Sequence, residues 1–252
     1  MLVSIITPSY NQGSFIRQTI ESVVGQSHGE IEYLIYDALS TDETADILDS
    51  YRDHPRVTRI VREKDRGQTD AINKGFRAAK GEVVGWINSD DLLPPDIVER
   101  AVAQFERDPE VGLTYCDIEY IEQWGHCFNR IDAYPRYDFD YLLNSCYSVF
   151  QPGSFYRKSV IEAAGYLDDS LQYCMDLDLW LKILARSKAC HLPGGPSSFR
   201  WHQATKTVNG ETAFLGEIMA TLGRHGASRL SPNMRRLFWY YLKTVVRKRL
   251  GR

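Results

Sequence analysis

Three aspartates stand where apolar segments end: Asp37, and the adjacent pair Asp90 and Asp91. Neighbouring carboxylates suit a hard, oxygen-preferring cation such as Mg²⁺ or Mn²⁺. Standing alone, the pair also fits a solvated turn ahead of a helix at Pro95. Asp37 likewise fits a turn leading into the helix start Ser40-Thr-Asp42. Preceded by an apolar strand and combined with Asp37, the pair reads as a cation site. A fourth acid, Asp176, opens a helix in the second half of the chain. Its position fits a helix cap, and the helix N-terminus is expected to hold its pKa low. Asp178 falls on another face and pairs with Lys182, four residues on. No GxGxxG follows the first strand and no GxxxxGK[ST] occurs, so the glycine-rich phosphate cradles are missing. Acids alone repel phosphate, and a phosphorylated ligand at this edge needs a bridging cation.

The elements that must position these acids are legible in the apolar pattern. Near-continuous apolar runs at 2–7, 31–36, 57–61 and 82–87 predict strands, and segments 13–26, 42–52, 68–79 and 95–106 predict helices. Buried strands separated by helices predict an α/β fold: a Rossmann-like, mainly parallel central sheet with helices on both faces. Ligands of such sheets bind beyond the carboxyl ends of the strands. Those ends read Thr7-Pro-Ser-Tyr-Asn11, Asp37-Ala-Leu-Ser-Thr-Asp42, Arg62-Glu-Lys-Asp-Arg-Gly67 and Asn88-Ser-Asp-Asp91. Polar residues, several of them carboxylates, thus gather at one edge. The second half predicts short strands near 112–116, 118–122 and 152–156. A helix follows over 176–186, where Leu177, Trp180, Leu181 and Leu184 keep helical spacing. Further helices are expected near 211–224 and 232–249.

The chain has 252 residues, 43% hydrophobic and 25% charged, which excludes disordered and fibrous classes. Its five cysteines are odd in number and none are spaced CxxC, so neither a zinc site nor a disulfide framework is expected. A reducing cytoplasm fits that usage. The first apolar run is short and lacks a basic lead-in, so a signal peptide is not expected. No apolar run approaches the ~20 residues that a spanning helix needs. Net charge is −3, yet residues 235–252 hold seven Lys or Arg and no acid. The remaining body is acidic, so nucleic acid is not an expected partner.

At these residues the sequence resembles glycosyltransferase family 2, whose members have the GT-A fold. The matching text is Val3 to Gln12, Glu32 to Asp37 with Ser40-Thr-Asp42, Asp65 to Gly75, and Gly81 to Asp91. The resemblance covers about residues 2–205. It implies an inverting transferase that uses a nucleoside-diphosphate sugar and a divalent metal, Mn²⁺ or Mg²⁺. By this resemblance Pro8 and Tyr10 flank the nucleotide base, and Asp37 hydrogen-bonds it, with uracil or another pyrimidine-like edge the expected base. Arg66 and Asp70 line the donor pocket, and Asp90 approaches the ribose and diphosphate. Asp91 holds the metal, and His202 of Arg200-Trp-His202 reaches the metal or diphosphate. Gln151 faces the acceptor. The segment Tyr173 to Trp180 resembles the family's ED-x-x-L/W motif, which makes Asp176 the catalytic base. The chain departs from the pattern in three places. Ala38 and Leu39 follow Asp37 where the family has Gly, Asn88 replaces the first acid of the DxD-type motif, and Met175 replaces a Glu.

This reading divides the chain into a GT-A catalytic domain, 1–205, and a C-terminal helical extension, 206–252. Within the first, 1–110 is the nucleotide-sugar half and 111–205 the acceptor-side half. In the extension Met234, Leu237, Phe238, Tyr241, Leu242 and Val245 form a stripe beside Trp239, Tyr240 and Arg247-Lys-Arg249. Such a helix either lies on an anionic membrane or packs on the domain with a solvated basic end. Membrane contact through 232–252 suits a lipid-linked glycan acceptor and a place at the inner face of the membrane. Two other functions remain open. A sugar nucleotidyltransferase needs a basic, glycine-rich loop after the first strand, which Asn11-Gln-Gly13 does not supply. A non-catalytic nucleotide- or glycan-binding homologue fits the changes at Met175 and Asn88.

Overall fold

The computed structural model describes residues 1–203 and 205–249, with the backbone path alone for 206–211, 248 and 249. The first half alternates β1 (Val3–Ser9), α1 (Gly13–Val24), β2 (Ile31–Asp37), α2 (Thr44–Ser50), β3 (Val57–Arg62), α3 (Gln68–Ala78), β4 (Val83–Trp86) and α4 (Ile97–Arg107). Every residue of β1, β2 and β4 is buried. That double-sided burial explains their near-continuous apolar sequences. Side chains along β1 alternate between faces. Ile6 packs with Leu34, Ile72 and Phe76 in one core, and Ile5 with Ile16, Ile20 and Ile35 in the other.

The second half contains β5 (Val111–Tyr115), β6 (Ile118–Ile121), β7 (Cys127–Ile131), β8 (Phe155–Arg157), α5 (Lys158–Ala164) and α6 (Met175–Leu184). It continues through β9 (Lys188–His191), β10 (Ser197–Arg200), α7 (Lys206–Arg224) and α8 (Pro232–Arg249). The main sheet has seven strands in the order β3-β2-β1-β4-β8-β5-β9. It is mainly parallel, with β8 antiparallel to both neighbours. A second sheet, β10-β6-β7, stands beside it. Leu92 and Ser198 exchange backbone hydrogen bonds of 3.0 and 2.9 Å, fastening the loop after β4 to β10.

Close packing fixes the approach of α3. A Cβ on Gly75 would come within 2.5 Å of Ile6, so the missing side chain lets the helix lie against β1. This sets Gln68, the first residue of α3, at the edge where β1 and β4 end.

The C-terminal helices join the same core as α6. Ile218 and Leu222 of α7 and Leu237 of α8 are buried with Trp180. The stripe expected on α8 divides between two faces. Leu237 is buried and Met234 half-buried, whereas Phe238 and Leu242 point outward with Trp239 and Val246. Phe238, Trp239 and Val246 are 54%, 63% and 51% exposed. Lys248 and Arg249 have no described side chains, and 250–252 lie outside the described residues. Among the described residues no helix is long and apolar enough to cross a membrane.

Candidate active site

The carboxyl ends of the first four strands open onto one cavity of about 870 Å³. Pro8 and Tyr10 line it after β1, Ala38 after β2, Lys64 and Asp65 after β3, and Asp90 and Asp91 after β4. Gln151, Asp176 and His202 line it from the second half. Seven of the ten expected site residues therefore share this space. Arg66 and Asp70 line an adjoining recess of about 140 Å³ together with Asp169. Gln68 belongs to both.

Asp37 is the exception. Its carboxylate is buried and occupied by its own turn: it accepts the Ser40 N–H at 3.0 Å and the Ser40 hydroxyl. Arg62 reaches it at 3.4 Å. It is not among the residues that line the cavity. The turn that follows runs through Leu39 at φ 60°. Glycine takes that left-handed region freely, and a leucine adopts it only under strain.

Asp91 is 1% exposed and held from both sides. One oxygen accepts the Arg200 N–H at 2.9 Å and the other accepts Asn88 Nδ2 at 3.1 Å. Burial, reinforced by the charge of Asp90, pushes its carboxyl well above the usual range. An acid at position 88 would add a third negative charge to this pair. The amide there donates to Asp91 instead, and its oxygen accepts Gln68 Nε2 at 2.7 Å. Gln151 is fixed in the same network. Its Oε1 accepts Asn88 Nδ2 at 3.3 Å, and its Nε2 donates to the Trp86 carbonyl at 2.9 Å. His202 stands 2.9 Å from Asp90 through Nε2. The side chains of Lys206 and Thr207, next in the same motif, lie outside the described residues.

A cation stands beneath this acidic loop. Arg200 is fully buried. Its Nε donates to the Asp90 carbonyl at 2.8 Å, and its terminal nitrogens donate to the Gln123 carbonyl at 3.0 Å and to Gln18 Oε1 at 2.6 Å. Phe15 covers the guanidinium, 5.1 Å from its ring centre. Burial lowers the pKa of Arg200, and the charges of Asp90 and Asp91 oppose that effect. Arg200 stands out in the sequence only as part of the motif around His202, because its partners come from α1 and from the residues after β6.

Asp176 lies in the first turn of α6, where its Oδ1 accepts the Leu177 N–H at 2.8 Å. The low pKa expected from the helix N-terminus is not what the fold produces. Burial pushes the carboxyl up to about 6, and neither that N–H nor its own outweighs the loss of solvent. The charge of Glu217 adds to the rise. Asp178, in contrast, is bound by Lys182 at 2.7 Å and His225 at 2.8 Å, as a structural ion pair. In the adjoining recess, Arg66 holds the Asp70 carboxyl down at about 2. The same guanidinium reaches Asp169 at 2.9 Å.

One residue that matters to the site carries no sequence signal. Glu217 of α7 accepts the backbone N–H groups of Gln172, Tyr173 and Cys174 at 3.0, 2.7 and 2.9 Å. It thereby fixes the segment that enters α6, two residues before Asp176. Although burial opposes it, these three donors hold the Glu217 carboxyl below its usual range.

The arrangement gives one cavity with an acid pair over a buried cation, and a separate, desolvated carboxyl able to gain a proton near neutral pH. The chain is similar to several known proteins. The protein is 41% identical to the proposed teichuronic acid biosynthesis glycosyltransferase TuaG of Bacillus subtilis (strain 168), over 99% of this chain and 98% of the relative. It is 31% identical to a chondroitin synthase of Escherichia coli over 72% of this chain and 26% of the relative. Several relatives are longer: the chain spans 58% of each of two uncharacterized Rickettsia glycosyltransferases. Among solved structures, S. aureus TarS in complex with UDP superposes with a TM-score of 0.70 at 18% identity, over 98% of this chain and 71% of that one. A mannosyltransferase of Pyrobaculum calidifontis in complex with GDP-Man and Mn²⁺ gives 0.71 at 21% identity, over 97% and 73%. These neighbours share the GT-A fold. The model of the family described as Glycosyl transferase family 2 matches residues 4–165, and the chain belongs to that family.

Proposed function

We propose that this protein transfers a sugar from a nucleoside-diphosphate donor, a UDP-sugar, to a hydroxyl of a glycan or lipid-linked glycan, with inversion. The observation that carries the reading is the raised pKa of Asp176 in the same cavity as Asp90 and Asp91. In the reaction Asp176 takes the proton of the acceptor hydroxyl as that oxygen bonds to the anomeric carbon. The bond from that carbon to the diphosphate breaks on the opposite face, and the nucleoside diphosphate leaves. Pro8 and Tyr10 flank the base, Asp37 shapes the turn beside it, Arg66 and Asp70 order the donor recess, and Gln151 faces the acceptor. The polymer-linked names of the relatives and the nucleotides held by the structural neighbours support this choice of substrates.

The donor set fits Mn²⁺ or Mg²⁺. Asp90 and Asp91 are hard oxygen ligands, and burial together with the charge of Asp90 opposes the ionisation of Asp91. Among the described residues no cluster of three or more His, Cys, Asp or Glu is arranged as a metal cage. Two carboxylates suffice for an ion that takes its remaining ligands from water and diphosphate oxygens. Asp91 and Asp90 would hold it, with His202 beside them, and bound there it would neutralise charge on the departing diphosphate.

Release of nucleoside diphosphate from a panel of nucleotide sugars with Mn²⁺ and glycan acceptors tests the reading. No release from any donor overturns it. Asp91→Ala is expected to weaken Mn²⁺-dependent donor binding by at least about tenfold, judged by what even indirect supports of a metal site contribute. Calorimetric titration with and without chelator measures this. Wild-type binding that ignores the chelator counts against the metal.

The outer face of α8 supports contact with an anionic lipid surface. Phe238, Trp239, Leu242 and Val246 are exposed beside Arg236, Lys243 and Arg247. Apolar side chains would enter the headgroup boundary and the cations would meet its negative potential. The protein is expected to sediment with phosphatidylglycerol vesicles and less so as salt rises. Lys243→Glu with Arg247→Glu should leave it in the supernatant. Equal recovery with and without vesicles removes the membrane contact.

A further inference from the structure

The small sheet carries an aromatic group that the chemistry above does not use. Phe199 and Trp201 are two residues apart and point to one face, while Arg200 between them turns into the core. Tyr120 of β6 pairs directly with Phe199 of β10. Its ring centre lies 5.5 Å from Phe199, 6.1 Å from Trp201 and 6.2 Å from Phe128 of β7. Tyr120, Phe199 and Trp201 line the cavity that also contains Asp176 and the acid pair. Trp201 is 43% exposed and Phe128 59% exposed, so the group runs from the cavity wall out to solvent. Glu119, next to Tyr120 in β6, faces the other way and accepts the Ser198 hydroxyl at 2.7 Å.

We infer that Tyr120, Phe199 and Trp201, continued outward by Phe128, seat a pyranose ring of the acceptor glycan beyond the sugar that carries the reacting hydroxyl. This rests on the transferase reading for its orientation. A pyranose presents hydroxyls around its edge and a sheet of C–H groups on its face. The faces of aromatic rings are electron-rich and attract such C–H groups, while their apolar area leaves the edge hydroxyls in water. An uncharged face of this kind offers nothing to a diphosphate. It is built on β10, β6 and β7, whereas Pro8 and Tyr10, the residues proposed to flank the base, follow β1. Its continuity with the cavity turns an exposed aromatic group into a path along which a polymer end leads to Asp176.

The test uses the full-length protein without donor and four probes: chondroitin and hyaluronan hexasaccharides, maltohexaose and chitohexaose. Calorimetry or NMR titration should show binding of at least one of them to the wild type. Trp201→Ala should weaken it about tenfold, the scale of a buried aromatic anchor. Trp201→Phe should stay within about threefold, because the ring face is kept. Trp124→Ala, at a residue 72% exposed and outside the group, should change nothing. UDP affinity, measured in parallel, should be equal in all four proteins. The proposal is overturned if no hexasaccharide binds the wild type, or if Trp201→Ala binds it as tightly. It is also overturned if that variant loses UDP instead, which would make the group a base platform. Trp201-dependent glycan binding by a wild type that fails to bind UDP supports the seat and counts against the nucleotide-sugar reading.

Discussion

Asp176→Asn is expected to lower the transfer rate by about 10²–10⁴-fold, the usual contribution of a positioned base, while donor affinity stays near the wild-type value. The same variant should fold to a more stable protein at neutral pH. Both effects come from the lifted pKa, about 6 against an ordinary 3.8. Between those values the folded state binds more protons at this site than the unfolded state. Wild-type stability therefore falls as pH rises through the window and stays lower above it. Two units correspond to about 3 kcal/mol at most, and the partial exposure of Asp176 reduces this to about 1–2 kcal/mol. Denaturant midpoints at pH 4.5 and 7.5 should show the wild type losing stability across the interval and the variant losing less. Transfer by the wild type should rise with pH through about 6 and then level, since the base acts only when ionised. Turnover near the wild-type rate in Asp176→Asn would remove this residue from the reaction.

Arg200→Leu should be the most destabilising single change near the site, at about 3–5 kcal/mol. The buried guanidinium donates to the Asp90 and Gln123 carbonyls and to Gln18, and a leucine leaves these part-buried hydrogen bonds unmade. It also removes the positive charge beneath two carboxylates. Arg200→Lys should recover little, because one ammonium cannot reach partners spread around a planar fork. Urea unfolding of the three proteins measures the effect. A lysine variant within about 1 kcal/mol of the wild type would show that the charge alone suffices.

The parts of the molecule legible in sequence are those set by local burial. The first four strands are sealed on both faces or end in polar turns, so their apolar runs and terminal residues mark the cavity directly. Elements without a buried face left no such trace. All five residues of β7 are exposed, and α5 buries only Ile161. The direction of a side chain and the state of a carboxyl depend on distant neighbours. Asp37 stands at the expected strand end, but its carboxylate is buried and taken up by Ser40 and Arg62. Asp176 occupies the expected helix start, yet surroundings brought in by the fold outweigh the local N–H groups. The α8 stripe was visible as a periodicity, but which part of it faces water was decided by packing against the rest of the protein.

Glu217 ties three amides ahead of α6 to a helix some forty residues later in the chain. The posture of Asp176 is thus anchored from outside its own neighbourhood, by a brace that α8 in turn packs against. A shift of α7 would therefore move the amides that lead into α6, and with them the helix start that carries Asp176.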